Sequence, residues 1–209
     1  MKNEFVIADV LPGKLNALVK NIMSQTGSED PNEAVRLVNS GEWIIKPNIP
    51  ELKIWKTIKI GTGIKTADDF RKALKKAGCK IGDWGNDILG KPEFKTAEIK
   101  EEIDLVNISV AELGFKKGAT RKDIYDRALQ LGLEFCPAEV GPQLRLQYPD
   151  QPLGEWLLVA MEPITDSAGN LYVFIVECND DGRWLIGNDG NPDNFWDGNN
   201  RWVFCRPRK

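Results

Sequence analysis

The sequence predicts an α+β protein with a mixed helical N-terminal part and a β-rich C-terminal unit. Two helical patterns occupy residues 1–45, and residues 52–209 form an α+β domain in which capped helices alternate with strand patterns. The chain has 209 residues, of which 42% are hydrophobic, and its seven Trp and eight Phe are enough to anchor a packed core.

The N-terminal part contains two predicted helices. The first is indicated by apolar residues at helical spacing, namely Leu15, Leu18, Val19 and Ile22. Ser28, Asp30 and Pro31 begin the second helix, and Gly41 ends it. Residues 46–51 contain two prolines and are expected to form a linker to the larger domain.

The middle of the chain mixes strands and helices. Residues 52–60 alternate apolar and cationic side chains, as in a half-buried strand, and residues 103–110 form a second strand pattern. Thr66 and Thr120 each begin a capping box that ends in Asp three residues later, and each predicts a helix. A further short helix is expected over residues 81–89.

The C-terminal part is expected to be rich in strands. Residues 131–135 follow a predicted helix and favour a strand, and residues 144–148 alternate apolar and polar side chains. Two continuous apolar runs, residues 156–161 and 171–176, are typical of central strands. Residues 201–204 predict an amphipathic strand close to the C-terminus.

Composition limits the classes of function. The chain contains no histidine, so nucleophiles that depend on histidine and histidine metal sites are excluded. Its net charge of −3 argues against a basic nucleic-acid surface. A local basic region leaves a DNA-binding or regulatory function as the alternative, and it is carried by Lys53, Lys56, Lys59, Lys65, Lys72, Lys75 and Lys76.

No catalytic constellation is visible. Glu139, Glu155 and Glu162 are acids near apolar segments, but no pattern pairs them, and we interpret them as surface or strand-edge residues. Cys136 lacks a histidine to activate it. The cysteines are far apart in sequence and are expected to be free thiols, as in a reducing compartment: Cys79, Cys136, Cys178 and Cys205.

The protein is expected to be a cytoplasmic protein without a cofactor. Its first nine residues lack the long apolar region of a signal peptide. No stretch reaches the eighteen or so apolar residues of a membrane span. We therefore expect no membrane association.

The segment from residue 179 to residue 200 is unusual in composition. Of its 22 residues, six are Asn, five are Asp and four are Gly. The segment contains Trp184 and Trp196 and is followed by Trp202. One interpretation is a loop-rich structural edge, because these residue types favour turns. Calcium binding is a second, through oxygens of Asp180, Asp181, Asp189, Asp193 and Asp197, although no EF-hand Glu follows.

The genetic code suggests a third interpretation. Asn is encoded by AAC or AAT, and replacement of the adenines of AAC gives Asp, Gly, Ser, Tyr, His, Ile and Cys among others. Asn and residues derived from Asn codons, interleaved with constant Trp, Pro and Arg, are what adenine-directed mutagenesis would leave. Ile186 fits this pattern, because a single adenine change converts AAC to ATC.

The segment resembles the variable C-terminus of target proteins of diversity-generating retroelements. The resemblance rests on Gly-Arg-Trp-Leu at 182–185 and on the run from Asn191 to Lys209, in which an Asn-rich stretch precedes Arg-Trp-Val-Phe. Upstream motifs such as Gly-Asp-Trp-Gly at 82–85 are similar to uncharacterised bacterial proteins of about this length. Such target proteins often have a C-type-lectin fold, so the resemblance implies a scaffold that displays variable side chains.

The resemblance assigns residues within a region of about 175–204. The display residues would be Asn179, Asp180, Ile186, Asn188, Asp189, Asn191, Asp193, Asn194, Asp197, Asn199 and Asn200. The scaffold residues would be Trp184, Trp196, Arg201, Trp202 and Phe204. The implied function is non-enzymatic recognition of a protein or another macromolecular ligand, without a metal ion.

Overall fold

The computed structural model describes residues 12–44 and 52–208, and the chain divides into two units, residues 1–49 and 50–209. The linker predicted at 46–51 lies outside the described residues, as do the first eleven residues, where no signal peptide is predicted. The described part of the first unit is helical, and the second unit contains both helices and strands.

The first unit contains the two helices that the sequence predicts, α1 (Pro12–Thr26) and α2 (Pro31–Asn39). Gly27 follows α1 with φ of +72°, a conformation that glycine adopts without strain. The Asp30 carboxylate caps α2 by accepting a hydrogen bond of 2.9 Å from the backbone N–H two residues on. Local capping chemistry therefore sets both boundaries between the helices.

The second unit is built on one large sheet with helices on both faces. Its elements in chain order are β1 (Lys56–Ile60), α3 (Ala67–Lys76), β2 (Cys79–Ile81), α4 (Asp83–Leu89), β3 (Glu101–Ser109), β4 (Ala119–Thr120), α5 (Arg121–Gln130), α6 (Val140–Gln147), β5 (Trp156–Val159), β6 (Ile164–Thr165), β7 (Leu171–Asn179), β8 (Gly182–Asp189), β9 (Phe195–Trp196) and β10 (Arg201–Arg206). The protein is therefore α+β, as the sequence predicts.

The large sheet has eight strands and places β10 near its middle. The strand order is β1-β3-β10-β5-β7-β8-β2, with β6 paired to β7, and β4 and β9 form a separate two-stranded ladder. Most pairs are antiparallel, but β10 runs parallel to β5 and β2 runs parallel to β8. Residues 179–200, which contain the display residues and are called the display segment below, begin at the turn between β7 and β8 and end where β10 starts.

The two faces of the sheet are covered by different helices. On one face Tyr125 of α5 packs edge-on against Trp202, with ring centroids 5.4 Å apart, and also contacts Phe204. On the other face Gly141 of α6 lies against the ring of Phe174, where a Cβ would approach within 2.6 Å. Side chains alternate between faces along each strand, so both faces bury apolar residues.

Several predicted elements are confirmed. Thr66 and Thr120 each accept a hydrogen bond from the backbone N–H of the Asp three residues on, and helices α3 and α5 begin there. The strand patterns at 52–60, 103–110, 156–161 and 171–176 correspond to β1, β3, β5 and β7. Residues 83–89 form α4, within the predicted short helix.

The strand predicted at residues 144–148 is wrong, because these residues belong largely to helix α6. Pro142 is the third residue of α6, and the first turn of a helix does not need its N–H. Leu144 and Arg145 are both fully buried, so the alternation of apolar and polar residues does not mark two faces. The Arg145 guanidinium donates to the Gln151 side chain and to the Glu177 carbonyl, which allows its burial.

Three further differences concern β pairing. The strand predicted at 131–135 is reduced to a single bridge between Glu134 and Cys205. Residues 182–189, which the composition assigns to a turn-rich stretch, form strand β8 with a continuous register along β7. The strand predicted at 201–204 is present as β10, but it is not amphipathic: Trp202, Val203 and Phe204 are all buried, because β10 lies between β3 and β5 with both faces covered.

Candidate functional site

The display residues are all at least partly accessible to solvent. The exposed ones are Asp180, Asp189, Asn191, Asp193, Asp197 and Asn199. The half-buried ones are Asn179, Ile186, Asn188, Asn194 and Asn200. Residues of the same segment that are not display residues alternate with them and include buried positions, such as Leu185, Gly190 and Trp196.

The display residues form three groups along the segment rather than one patch. Asn179 and Asp180 lie at the turn between β7 and β8, and Asn188 lies near the opposite end of β8, about 20 Å away at the rise of an extended strand. The second group comprises Ile186, Asn188 and Asp189 of β8 and continues into the loop before β9. The third group, Asp197 with Asn199 and Asn200, lies between β9 and β10.

Backbone hydrogen bonds hold the segment to the rest of the unit. They are 2.7 to 3.0 Å long and join Gly190 N to Leu171 O, Lys122 N to Pro192 O, Arg121 N to Asn194 O, Ala111 N to Gly198 O, and Val110 N to Asn200 O. Bonds between backbone groups do not depend on side-chain identity. The path of the segment can therefore persist when its exposed side chains change.

Three glycines of the segment lie closely against their neighbours, and the closest approach is at Gly198. A Cβ on Gly187 would lie 3.0 Å from the Cβ of Trp84, and one on Gly190 would lie 3.0 Å from a carbon of Pro163. A Cβ on Gly198 would lie 2.6 Å from the backbone oxygen of Lys116. These glycines let the segment pack closely on its neighbours, which fixes its position between the display residues.

Some display residues also stabilise local turns. Asp189 and Asn191 each accept, through a side-chain oxygen, a hydrogen bond from the backbone N–H two residues on, at 2.7 and 3.0 Å. The Asn179 side chain accepts from the Trp184 indole N–H at 3.2 Å and donates to Glu177. These bonds give the Asn and Asp content a structural role beside any role in binding.

The scaffold residues are anchored in or beside the core. Trp202 and Phe204 are fully buried, and the Trp196 ring meets Trp202 edge-on with centroids 5.4 Å apart. Arg201 donates to the side chain and the carbonyl of Asn107 at 2.8 and 3.1 Å. Trp184 is half-buried, and the Lys80 ammonium lies 5.0 Å from its ring centroid.

An exposed aromatic pair lies beside the second group of display residues. The rings of Trp84 and Tyr172 stack with centroids 5.3 Å apart and planes inclined by 26°, and 58% of Trp84 is exposed. Partial desolvation, together with the negative charges of the Asp166 and Asp189 carboxylates, raises the pKa of the Tyr172 hydroxyl. No sequence pattern predicts a role for this pair.

Each of the stacked rings lines a pocket that also includes display residues. The Trp84 pocket has a volume of about 420 Å³ and is lined by Gly82, Asp83, Trp84, Ile186, Gly187 and Asn188. The Tyr172 pocket has a volume of about 340 Å³ and is lined by Gly169, Asn170, Leu171, Tyr172, Asp189 and Asn191. The glycines on either side of Trp84 in the sequence, Gly82 and Gly85, are the signal that could have indicated this site.

Two lysines of the alternative, DNA-binding hypothesis, Lys56 and Lys59, lie beside an aromatic ring and an acidic residue. The Lys56 ammonium lies 4.4 Å from the ring centroid of Tyr148, a cation–π arrangement. Lys59 is paired with Glu102 across β1 and β3, and Thr57 is paired with Asp104. The acidic residues of β3 therefore lie beside the cationic strand, which weakens its attraction for phosphates.

Glu139 is fully buried and holds loops together. Its carboxylate accepts hydrogen bonds from the backbone N–H of Gly61 at 2.9 Å and of Ala97 at 2.7 Å, and from the Gln143 amide at 2.9 Å. These bonds satisfy the carboxylate without a cation. The interpretation of Glu139 as a surface or strand-edge acid is therefore wrong as to its location.

The thiols are free, as expected from the sequence. Cys136 and Cys205 are buried with their Sγ atoms 3.3 Å apart, and Cys136 lies close to the carbonyl of Val203. Burial, together with the neighbouring Cys205, raises the pKa of the Cys136 thiol. A nucleophilic cysteine needs the opposite shift, because the thiolate is the reactive form.

The remaining hypotheses for the described part of the chain concern metal ions and membranes. Over residues 12–44 and 52–208, no three acidic or cysteine side chains are grouped so that they could hold a metal ion. The five aspartates of the calcium hypothesis are divided between the two ends of β8 and the loops after it. Among these same residues no helix is long and apolar enough to cross a membrane.

Comparisons with known proteins add no assignment to this geometry. No protein-family model matches the chain. No curated protein and no solved structure is similar to it at the level that would carry an inference.

Proposed function

We propose that this chain is a non-enzymatic recognition protein that binds a protein or another macromolecular ligand through the display residues. The observation that carries the proposal is that residues 179–200 combine a firmly held backbone with accessible side chains. Backbone hydrogen bonds, close-packed glycines and buried aromatic rings hold the segment, while its display residues remain accessible. A fixed backbone with replaceable side chains is how binding loops on rigid scaffolds vary their ligands.

The proposal includes the diversification of this segment by a retroelement and a C-type-lectin-like arrangement of the second unit, in a cytoplasmic protein. Support for the arrangement is topological. Both ends of the segment are continuous with long strands of one sheet, β7 and β8 at the start and β10 at the end. Variation in the loops leaves the pairing of β10 intact, since its paired residues lie after Asn200. The display residues Ile186, Asn188 and Asp189 lie within β8, where pairing with β7 is made by backbone groups that every side chain shares.

Sequencing of the genomic DNA beside the gene tests the diversification. We expect a nearby imperfect repeat of the DNA that encodes residues 175–204, together with a reverse transcriptase gene. The repeat should differ from the gene only at its adenines, and the differences should fall in display codons. The codons of Trp184, Trp196 and Trp202 provide an internal control, because TGG contains no adenine. Absence of a repeat, or differences spread over all four bases, would contradict this part of the proposal.

A library of variants tests the recognition itself. We expect codons reachable from AAC to be tolerated at the exposed display residues, with changes in the free energy of unfolding of about 1 kcal/mol or less at each position. The same codons at Leu185, Gly190 and Trp196 should unfold the protein, as measured by protease resistance. Selection on two unrelated protein baits should yield binders.

Reversion provides the control for such binders. Returning the display residues to those of this chain should abolish binding while the melting temperature changes little. Binding that survives the reversion would place the recognition surface elsewhere on the protein. Widespread unfolding of display variants would instead support a purely structural role for the Asn- and Asp-rich turns.

A further inference from the structure

Trp84 combines high exposure with a fixed position. Its backbone packs on β8, since a Cβ at Gly85 would lie 3.0 Å from backbone atoms of Ile186 and one at Gly187 would meet Trp84 itself. One face of the indole lies against Tyr172, while 58% of the residue is open to solvent. A large aromatic side chain held in this way offers a ring surface that needs no rearrangement before binding.

The surroundings of the stacked rings are acidic. Asp83 lines the Trp84 pocket, and Asp189 lines the Tyr172 pocket. The negative charge of Asp166 also contributes to raising the pKa of the Tyr172 hydroxyl. Two cations of this region are already bonded: Lys91 to Asp87 and Ser167, and Arg71 to Asn86 and Asp68. Within the described residues, none of the ion pairs involves Asp83, Asp166 or Asp189.

We infer that the Trp84 pocket binds a cationic group of the ligand, an alkylammonium or a guanidinium, over the exposed face of the Trp84 indole. The ring quadrupole attracts a cation, and Trp provides the strongest such attraction among side chains. The neighbouring carboxylates favour the same charge and disfavour an anion. The inference rests on the proposed function, because Ile186 and Asn188 of the display set line the same pocket.

The inference divides the recognition surface into constant and variable parts. Trp84 and Asp83 lie on α4, outside the display segment, so they would supply the same cation site in every variant. Ile186 and Asn188 would select the groups that surround the cation. A volume of about 420 Å³ is within the range of roughly 300–1,000 Å³ found for ligand pockets and is ample for a trimethylammonium group.

A pair of nearly isosteric probes isolates the contribution of charge. Choline carries a trimethylammonium group, and 3,3-dimethylbutan-1-ol has the same shape without the charge. Each is titrated into the full-length protein while the indole N–H signals of the seven Trp residues are followed by NMR. We expect choline to shift the Trp84 signal and to bind at least about fivefold more tightly than the neutral alcohol. Added salt should weaken choline binding.

Single substitutions locate the site. Trp84→Ala should abolish choline binding without unfolding the protein, since alanine retains the Cβ that packs on Gly187. Asp83→Asn should weaken binding about twofold to threefold and reduce its dependence on salt. Trp43→Ala is the matched control, because Trp43 is another exposed Trp, in the first unit, and its loss should leave binding unchanged.

Several outcomes would overturn the inference. These are equal affinity for the two probes, no binding of choline, and choline binding that persists in Trp84→Ala. Binding of methyl glycosides in place of choline would assign the pocket to sugars instead. Failure here is distinct from failure of the proposed function: binders selected through the display residues can exist without a cation site, and a cation site can exist in a protein whose segment is never diversified.

Discussion

Replacing Gly198 with alanine is expected to destabilise the second unit by about 2–3 kcal/mol. The added Cβ would lie 2.6 Å from the carbonyl oxygen of Lys116, and this neighbour is backbone rather than a movable side chain. Relief of the clash requires the turn to move away. That movement strains the hydrogen bond from Ala111 N–H to Gly198 O, which is 2.8 Å long. Urea denaturation followed by far-UV circular dichroism measures the change.

The next residue provides the control. Asn199 is exposed, and Asn199→Ala should change the free energy of unfolding by about 0.5 kcal/mol or less. A large difference between two adjacent positions is what a fixed backbone with replaceable side chains requires. Equal effects would mean that the turn yields easily or that Asn199 has a structural role, and either result would remove the main support for display.

Features governed by local chemistry were predictable from the sequence. The helices that start after Thr66 and Thr120 were found because a capping box is complete within four residues. Strands β5 and β7 were predictable because each lies in a continuous apolar run, which is typical of a strand that is buried on both faces. Accessible display residues were expected from their polarity, and the structure places them on the surface or half-buried.

Features governed by distant contacts were not predictable. The central position of β10 depends on pairs such as Phe204 with Val106, which are almost a hundred residues apart. The alternation of apolar and polar residues in α6 predicts a strand, because the sequence does not show that Gln151 and the carbonyls of Tyr148 and Glu177 accept hydrogen bonds from a buried Arg145. A sequence also does not show which Trp is exposed, so the exposure of Trp84 was not predictable, although Gly82 and Gly85 are visible beside it.

Glu139→Gln is expected to cost about 2–3 kcal/mol of stability, since hydrogen bonds to a carboxylate are strong and an unpaired buried N–H is costly. The carboxylate oxygens accept three N–H donors, and those of Gly61 and Ala97 belong to loops remote from α6 in sequence. An amide offers one oxygen and directs its own NH₂ group at one of these donors. Thermal and urea denaturation should both show the loss.

Glu162→Gln is the control for this substitution, because Glu162 is exposed and should tolerate the amide with little change. The comparison also separates recognition from catalysis, since Glu139 is the buried acid that an enzymatic interpretation would choose. If the variant unfolds more easily and no hydrolytic activity is found in the parent protein, Glu139 acts by joining loops. A hydrolytic activity that is lost in Glu139→Gln at unchanged stability would instead make Glu139 catalytic and would overturn the proposal of a non-enzymatic protein.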